Sequence, residues 1–138
     1  MLEFIKQYPA ILEHNEKGGY GVFFPYLPGL GTAGDTYEEA LSMAKEALNM
    51  YLADMIDDRE SAPQFNLNEV VTEAKQLNAI VAMVEPDKWQ LMDMVKRPQR
   101  KRVNITILEG VLELADQVAH RLKTSRSDVI ERGLRAIV

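Results

Sequence analysis

Apolar and polar residues alternate along the first part of the chain, in a pattern typical of antiparallel strands. Segments 8–14 and 20–27 each predict a strand, and the turn residues of 15–19 between them predict a hairpin. The loop 28–35 that follows is rich in Gly and Pro and leaves room for a short third strand at 31–33.

The clearest helix begins after Thr36. Glu39 follows three residues later, so that the two residues form a capping box. Apolar side chains then recur at helical spacing to about Asp57, which predicts one buried face. These residues are Tyr37, Ala40, Leu41, Ala44, Leu48, Tyr51, Leu52 and Met55.

Weaker patterns follow the polar connector 57–66. They predict a short helix at 67–75 and, from a continuous apolar run, a buried strand at 79–84. Periodicity is then lost, apart from a short helical piece around 89–94. We therefore expect a domain boundary and linker at 96–100.

A second alternating segment, 101–107, predicts a strand near the C-terminal end. Its apolar face would carry Val103, Ile105 and Ile107. Its polar face would carry Arg102, Asn104 and Thr106. Apolar spacing next predicts helices at 109–122 and 126–137, with Ser125 as the N-cap of the second.

A single strand and two short helices cannot bury enough surface to fold alone, and the strand has no partner for its backbone groups. A second copy solves both problems if the two strands pair antiparallel. This order of elements, from Lys101 to Val138, resembles the ribbon-helix-helix family along its whole length.

That resemblance implies a dimer whose two-stranded ribbon lies in the major groove of DNA. Arg102, Asn104 and Thr106 match the outward positions that read base edges, and their side chains suit that chemistry. The resemblance further implies phosphate contacts at the start of the second helix. The candidate residues are Ser125, Arg126 and Ser127, with Lys101 as a nearby positive charge. An edge strand and helical hairpin used only for dimerisation is the alternative.

The first part of the chain resembles the HicB-type antitoxins over roughly 8–84. The motif is a Pro-containing strand end, a Pro-Gly loop, and "GDT" followed by "EEA" in a helix. It consists of Pro25, Pro28, Gly29, Gly31, Gly34, Asp35, Thr36, Glu38, Glu39 and Ala40. A ribbon-helix-helix tail is one of the tails that this family carries.

The two resemblances together imply an α+β protein. Residues 1–95 would form a degenerate RNase H-like α/β domain that binds a toxin, and 101–138 a ribbon-helix-helix dimerisation domain. Such antitoxins cover the active surface of a small basic HicA-type toxin that cleaves mRNA. Through the tail, they bind operator DNA and repress their own operon. A homodimer is implied, and a tetramer is left open.

Charge supports this division. The chain of 138 residues has a net charge of −5, but Met1 to Arg97 carries −8 and Pro98 to Val138 carries +3. An acidic body suits a basic protein partner. Cysteine is absent, which excludes disulfides and cysteine-based metal sites. With no apolar run of membrane-spanning length and no signal-peptide pattern, we expect a cytoplasmic protein without membrane contact.

No residue pattern predicts catalysis, a metal or a cofactor. The predicted strands carry few of the carboxylates that a nuclease needs, and His14 and His120 have no neighbouring ligand pattern. The glycines of the 28–35 loop lack the spacing of a phosphate-binding loop, so we expect them to supply positive φ in a tight turn.

Toxin-contact residues are sought among the aromatic and apolar side chains at the end of the second strand, where one side should be exposed. Phe24, Tyr26 and Leu27 are the candidates. One alternative function stays open: a stand-alone ribbon-helix-helix transcription regulator, whose N-terminal domain binds a ligand or serves only for oligomerisation.

Overall fold

The computed structural model describes residues 1–95 and 102–137. The chain divides into two compact units, Met1–Pro98 and Gln99–Val138, which we call the body and the tail. The predicted linker 96–100 and Lys101 lie outside the described residues.

The body contains four strands, three α-helices and a short 3₁₀ helix at Leu2–Phe4. The strands are β1 (Tyr8–His14), β2 (Tyr20–Phe23), β3 (Gly31–Gly34) and β4 (Ile80–Val84). The helices are α1 (Tyr37–Asp57), α2 (Leu67–Gln76) and α3 (Lys88–Met94). These elements follow the predicted pattern closely, and the strands form one antiparallel sheet in the order β3-β2-β1-β4.

Helices cover both faces of the sheet, and β1 is therefore buried on both sides. Even-numbered residues of β1 join a large core with α1 and α3, whereas Ile11 packs against α2. The large core includes Tyr8, Leu12, Phe24, Leu48, Leu52 and Leu91. The smaller core consists of Ile11, Val70 and Ala74, with Val81 packed against it.

The predicted cap of α1 is confirmed. The Glu39 N–H donates to Oγ1 of Thr36 at 3.1 Å. The Glu39 carboxylate reaches back to the N–H of Asp35, at 3.2 Å, rather than to that of Thr36. The bond to Thr36 satisfies one of the N–H groups that the first turn of a helix leaves without partners, and the bond from Asp35 ties the residue before the cap to the helix.

The second strand ends at Phe23, four residues before its predicted end. Pro25 and Pro28 each lie at the second position of a turn. The first turn is closed by the Leu27 N–H, which donates to the carbonyl of Phe24 at 2.9 Å. The second is closed by the Leu30 N–H, which donates to the carbonyl of Leu27 at 3.2 Å. Proline favours that position because its φ is fixed, and Gly29 follows Pro28 with a φ of 78°. Of the three glycines in this loop, Gly29 alone needs positive φ.

The tail contains α4 (Glu109–Leu122) and α5 (Arg126–Ile137), as predicted. Lys123 ends α4 in the left-handed conformation, with φ 54° and ψ 47°. The Asp128 N–H donates to Oγ of Ser125 at 3.1 Å, which confirms Ser125 as the cap of α5. Residues 102–108 form no strand in the single chain. The strand predicted there requires a partner strand and therefore remains a prediction.

Candidate functional site

The predicted base-reading side chains Arg102, Asn104 and Thr106 are all exposed in the tail. The apolar side chains between them are exposed as well: Val103 at 67% and Ile105 at 62%. A segment that exposes both faces has no partner for its apolar face within the described part of this chain.

The helices of the tail show the same feature. Ala115 and Ala119 are buried between α4 and α5, and they are small. Larger apolar side chains point outward along both helices and the segment before them: Leu108, Val111, Leu114, Leu122, Leu134 and Ile137. Large apolar side chains that are exposed in this number on so small a unit indicate an interaction surface.

The candidate phosphate site lies at the N-terminus of α5, where Ser125, Arg126 and Ser127 are exposed. Ser125 is occupied as a cap, and the backbone N–H groups of the first helical turn point outward, as at any helix start. Lys101, the fourth residue predicted here, lies outside the described residues.

The guanidinium of Arg126 is held by a carboxylate that the sequence analysis did not single out. Its Nε and Nη2 donate to the two oxygens of Asp116 on α4, at 2.7 and 2.9 Å. The hydrogen bond from Arg126 lowers the pKa of Asp116 below its ordinary value. Because the two residues lie ten positions apart on different helices, no local sequence signal pairs them.

Two of the three predicted toxin-contact residues lie in the core of the body. Phe24 is 2% exposed and Leu27 is 3% exposed, so that their side chains offer no surface to a partner. The strand alternation used to predict them stops at Phe23, where the double turn begins. This narrows the predicted contact to Tyr26, which is half-buried.

Tyr26 forms one wall of a groove along α2. Its hydroxyl donates to the carbonyl of Pro9 at 2.9 Å, and its ring packs on Phe65 with the centroids 5.0 Å apart. Burial, with a smaller effect of Tyr8, raises the pKa of the Tyr26 phenol. The groove is lined on its other side by Asn66, Glu69 and Glu73 of α2 and its cap. A second depression on α2 shares these three residues and is otherwise lined by Asn68, Thr72 and Gln76.

Phe65, Glu69 and Glu73 of this groove were not predicted from the sequence. The spacing of the two glutamates, four residues apart on a predicted helix, was available and places them on one helical face. Phe65 lies in the connector, and its contact with Tyr26 depends on the fold rather than on local sequence.

The acidic and histidine side chains were also compared with the needs of a metal site. Within the described ranges, no three His, Asp or Glu side chains lie close enough to hold a metal ion. His14 packs edge-on against Tyr20 at 5.0 Å between centroids, and His120 lies in the last turn of α4. In the same ranges no helix has the length and apolar character needed to cross a bilayer.

Known proteins resemble this chain in sequence and in structure. Residues 8–133 match the model of the HicB-like antitoxins of bacterial toxin–antitoxin systems. A 14.9 kDa protein from the rep-hol intergenic region of Haemophilus phage HP1 is 32% identical over 111 residues, which cover 80% of this chain and 79% of that protein. Antitoxin HicB 1 of Photorhabdus laumondii is 47% identical over 57 residues, 41% of this chain and 37% of that protein.

Solved structures share the fold. The Burkholderia pseudomallei antitoxin HicB superposes with a TM-score of 0.56 at 23% identity, covering 94% of this chain and 96% of that one. A chain of a toxin–antitoxin complex from Streptococcus pneumoniae gives 0.53 at 20% identity, with 97% and 99% covered. The family match spans most of both units, and the chain therefore belongs to the HicB-like antitoxins of bacterial toxin–antitoxin systems.

Proposed function

We propose that this antitoxin neutralises a HicA-type, mRNA-cleaving toxin by covering its active surface, and that its tail dimerises and binds operator DNA to repress its own operon. The observation that carries both parts is a family match extending through an acidic body and a basic tail. The body acts by binding rather than by catalysis, on a degenerate RNase H-like scaffold, in the cytoplasm.

The toxin-binding surface that we propose is the groove along α2. Tyr26 and Phe65 supply an aromatic wall that is held in place by the Tyr26 hydroxyl bond to Pro9. Glu69 and Glu73 supply negative charge along the facing helix. An aromatic surface beside negative charge suits a basic partner, because the charge attraction speeds association and the rings supply area that is buried on binding.

For the tail, we propose antiparallel pairing of residues 102–107 with the same residues of a second copy. The exposed apolar side chains Val103 and Ile105 would then enter the shared core, together with those of the two helices. Pairing would leave Arg102, Asn104 and Thr106 on the outer face of a two-stranded ribbon, which fits the major groove. Two such dimers on an inverted-repeat operator would give a tetramer.

The proposal about the toxin is tested by co-expression with the short basic protein encoded beside this gene. We expect that protein to arrest growth alone and this chain to restore growth. The double variant Glu69→Lys/Glu73→Lys should fail to restore it. The double variant Glu16→Lys/Glu46→Lys makes the same charge change at exposed sites away from the groove and should still restore growth.

Two outcomes would count against the proposal in different ways. Equal failure of both double variants would show that overall charge, rather than the α2 groove, governs binding. The absence of any neighbouring toxin, combined with specific DNA binding, would favour the stand-alone transcription regulator.

A further inference from the structure

The tail pairs its candidate phosphate-binding arginine with a carboxylate of its own. Arg126 is the first residue of α5, at the helix end where an anion is favoured. Both oxygens of Asp116 accept from its guanidinium, at 2.7 and 2.9 Å, in the two-bond geometry that arginine also uses for phosphate. Asp116 therefore occupies the same fork that a DNA phosphate would use.

The pair is exposed to solvent, with 53% of the Arg126 side chain and 46% of the Asp116 side chain accessible. Ion pairs at such positions contribute little to folding and exchange partners easily. The junction of α4 and α5 has other supports, namely the buried Ala115 and Ala119 and the bond from the Thr124 hydroxyl to Asp128 at 2.8 Å. The tail thus does not depend on this pair for its fold.

The charge of Asp116 has a direct consequence for an incoming anion. An aspartate is ionised at neutral pH, and the hydrogen bond from Arg126 lowers the pKa of the Asp116 carboxyl further. An ionised carboxylate a few ångströms from a bound phosphate repels it and also neutralises the nearest cation. Both effects weaken phosphate binding at the start of α5.

We infer that Asp116 limits the affinity of the tail for DNA by competing with phosphate for Arg126. This inference rests on the proposed DNA binding of the tail. It assigns to Asp116 a role that is opposite to stabilisation of the complex, since the residue keeps the sequence-independent part of the affinity low. A weaker phosphate contact lowers the affinity for every duplex by the same factor, because phosphate contacts do not depend on sequence.

The test uses the full-length protein, fluorescence anisotropy, and DNA from upstream of its own gene beside a scrambled duplex. Asp116→Asn keeps the size of the side chain and removes its charge. We expect roughly two- to fivefold tighter binding for each Arg126–phosphate contact. A dimer has two such contacts, so its affinity should rise by about four- to 25-fold on both duplexes. The slope of log affinity against log salt should steepen by about 0.9 for each added phosphate contact.

Glu131→Gln is the matched control. It makes the same charge change on α5 and removes a carboxylate that pairs with Arg135 at 3.1 Å, but it lies more than a turn from the helix start. We expect it to change affinity less than Asp116→Asn does. In the Arg126→Ala background, the gain from Asp116→Asn should largely disappear, because the released guanidinium is then missing.

The outcomes distinguish a failure of this inference from a failure of the proposed DNA binding. If the wild-type protein binds its own DNA and Asp116→Asn binds more weakly, Asp116 positions Arg126 for binding and the inference is overturned. Equal gains from Asp116→Asn and Glu131→Gln would overturn it too, since only net charge would matter. If neither the wild type nor the variant binds any duplex, the DNA-binding proposal fails as well.

Discussion

The side chain of Asn49 holds the start of α3, since its Oδ1 accepts a hydrogen bond from the backbone N–H of Asp87 at 3.0 Å. Its Nδ2 donates to Oε1 of Gln90 at 2.8 Å. Asn49 is fully buried on α1, in the middle of an otherwise apolar face. One polar side chain therefore joins two helices that are far apart in sequence.

Replacing Asn49 with Leu should destabilise the body by about 1–3 kcal/mol, because the substitution removes both hydrogen bonds and leaves the N–H of the half-buried Asp87 without its partner. Urea unfolding, followed by the fluorescence of the single tryptophan, Trp89 on α3, measures the loss. Asn68→Leu on the exposed surface of α2 is the control and should change stability by less than about 0.5 kcal/mol. Equal effects of the two changes would refute a specific role for Asn49.

Gly34 is required where β3 meets α1. A Cβ built on it would overlap the backbone N of Ala40 and would lie 2.8 Å from the carbonyl carbon of Glu39. Backbone atoms of a capped helix cannot move aside easily, so Gly34→Ala should cost about 1–3 kcal/mol, as overpacking does elsewhere.

Gly31→Ala provides the comparison within the same strand. A Cβ there would meet only the carbonyl oxygen of Val22 at 3.5 Å, which is ordinary contact. The midpoint of urea unfolding should therefore fall for Gly34→Ala and stay near the wild-type value for Gly31→Ala. A similar fall for both would mean that the sheet edge, rather than the approach to α1, limits stability.

The stability of the body should decline at high pH because of Tyr8. Burial raises the pKa of this phenol to about 12 in the folded protein, from an ordinary value of 10.0. The folded state thus binds the proton more tightly than the unfolded state does. The stabilisation is complete below pH 10 and is lost as the pH rises through 12.

Urea unfolding at a series of pH values between 9 and 12 measures this dependence. Tyr8→Phe should flatten the decline, at the cost of the hydroxyl bond to the Phe4 carbonyl at 2.8 Å. Some decline should remain, since burial raises the pKa of Tyr26 in the same direction. An unchanged decline in Tyr8→Phe would disprove the assignment.

Local patterns were enough to predict the helices and strands of the body, because caps, turns and apolar spacing all act over a few residues. Asn49 was missed since a search for apolar positions passes over one polar residue on a buried face. Phe24 and Leu27 were predicted as candidate toxin contacts because the second strand was extended to Leu27, whereas it ends at Phe23 and both side chains are buried.

The contacts that form the candidate surfaces were harder to predict. Tyr26 meets Phe65 across thirty-nine positions, and Asp116 meets Arg126 across the junction of two helices. Neither pair has a periodic signal, because both depend on how elements pack. The polar and apolar faces of 102–107 remain a prediction, which rests on the alternation of residues alone.

Dimerisation of the tail should depend on Ile105. Replacing this exposed residue with Glu would place a charge in the proposed shared core, so the variant should be monomeric or strongly shifted toward monomer in sedimentation velocity. Thr106→Glu introduces the same side chain on the opposite face and should remain dimeric. If Ile105→Glu dimerises as the wild type does, the ribbon is not the dimer contact.

Base reading by the ribbon should depend on Asn104, whose amide can both donate to and accept from adenine. Asn104→Ala should weaken binding to the operator by about 1–3 kcal/mol and leave binding to scrambled DNA almost unchanged. Lys123→Ala, at the exposed end of α4, is a control that removes a positive charge outside the ribbon, and it should affect both duplexes alike. Fluorescence anisotropy with the full-length protein at one fixed salt concentration makes the comparison. An equal loss on both duplexes for Asn104→Ala would show that this residue helps the tail to bind DNA without reading its sequence.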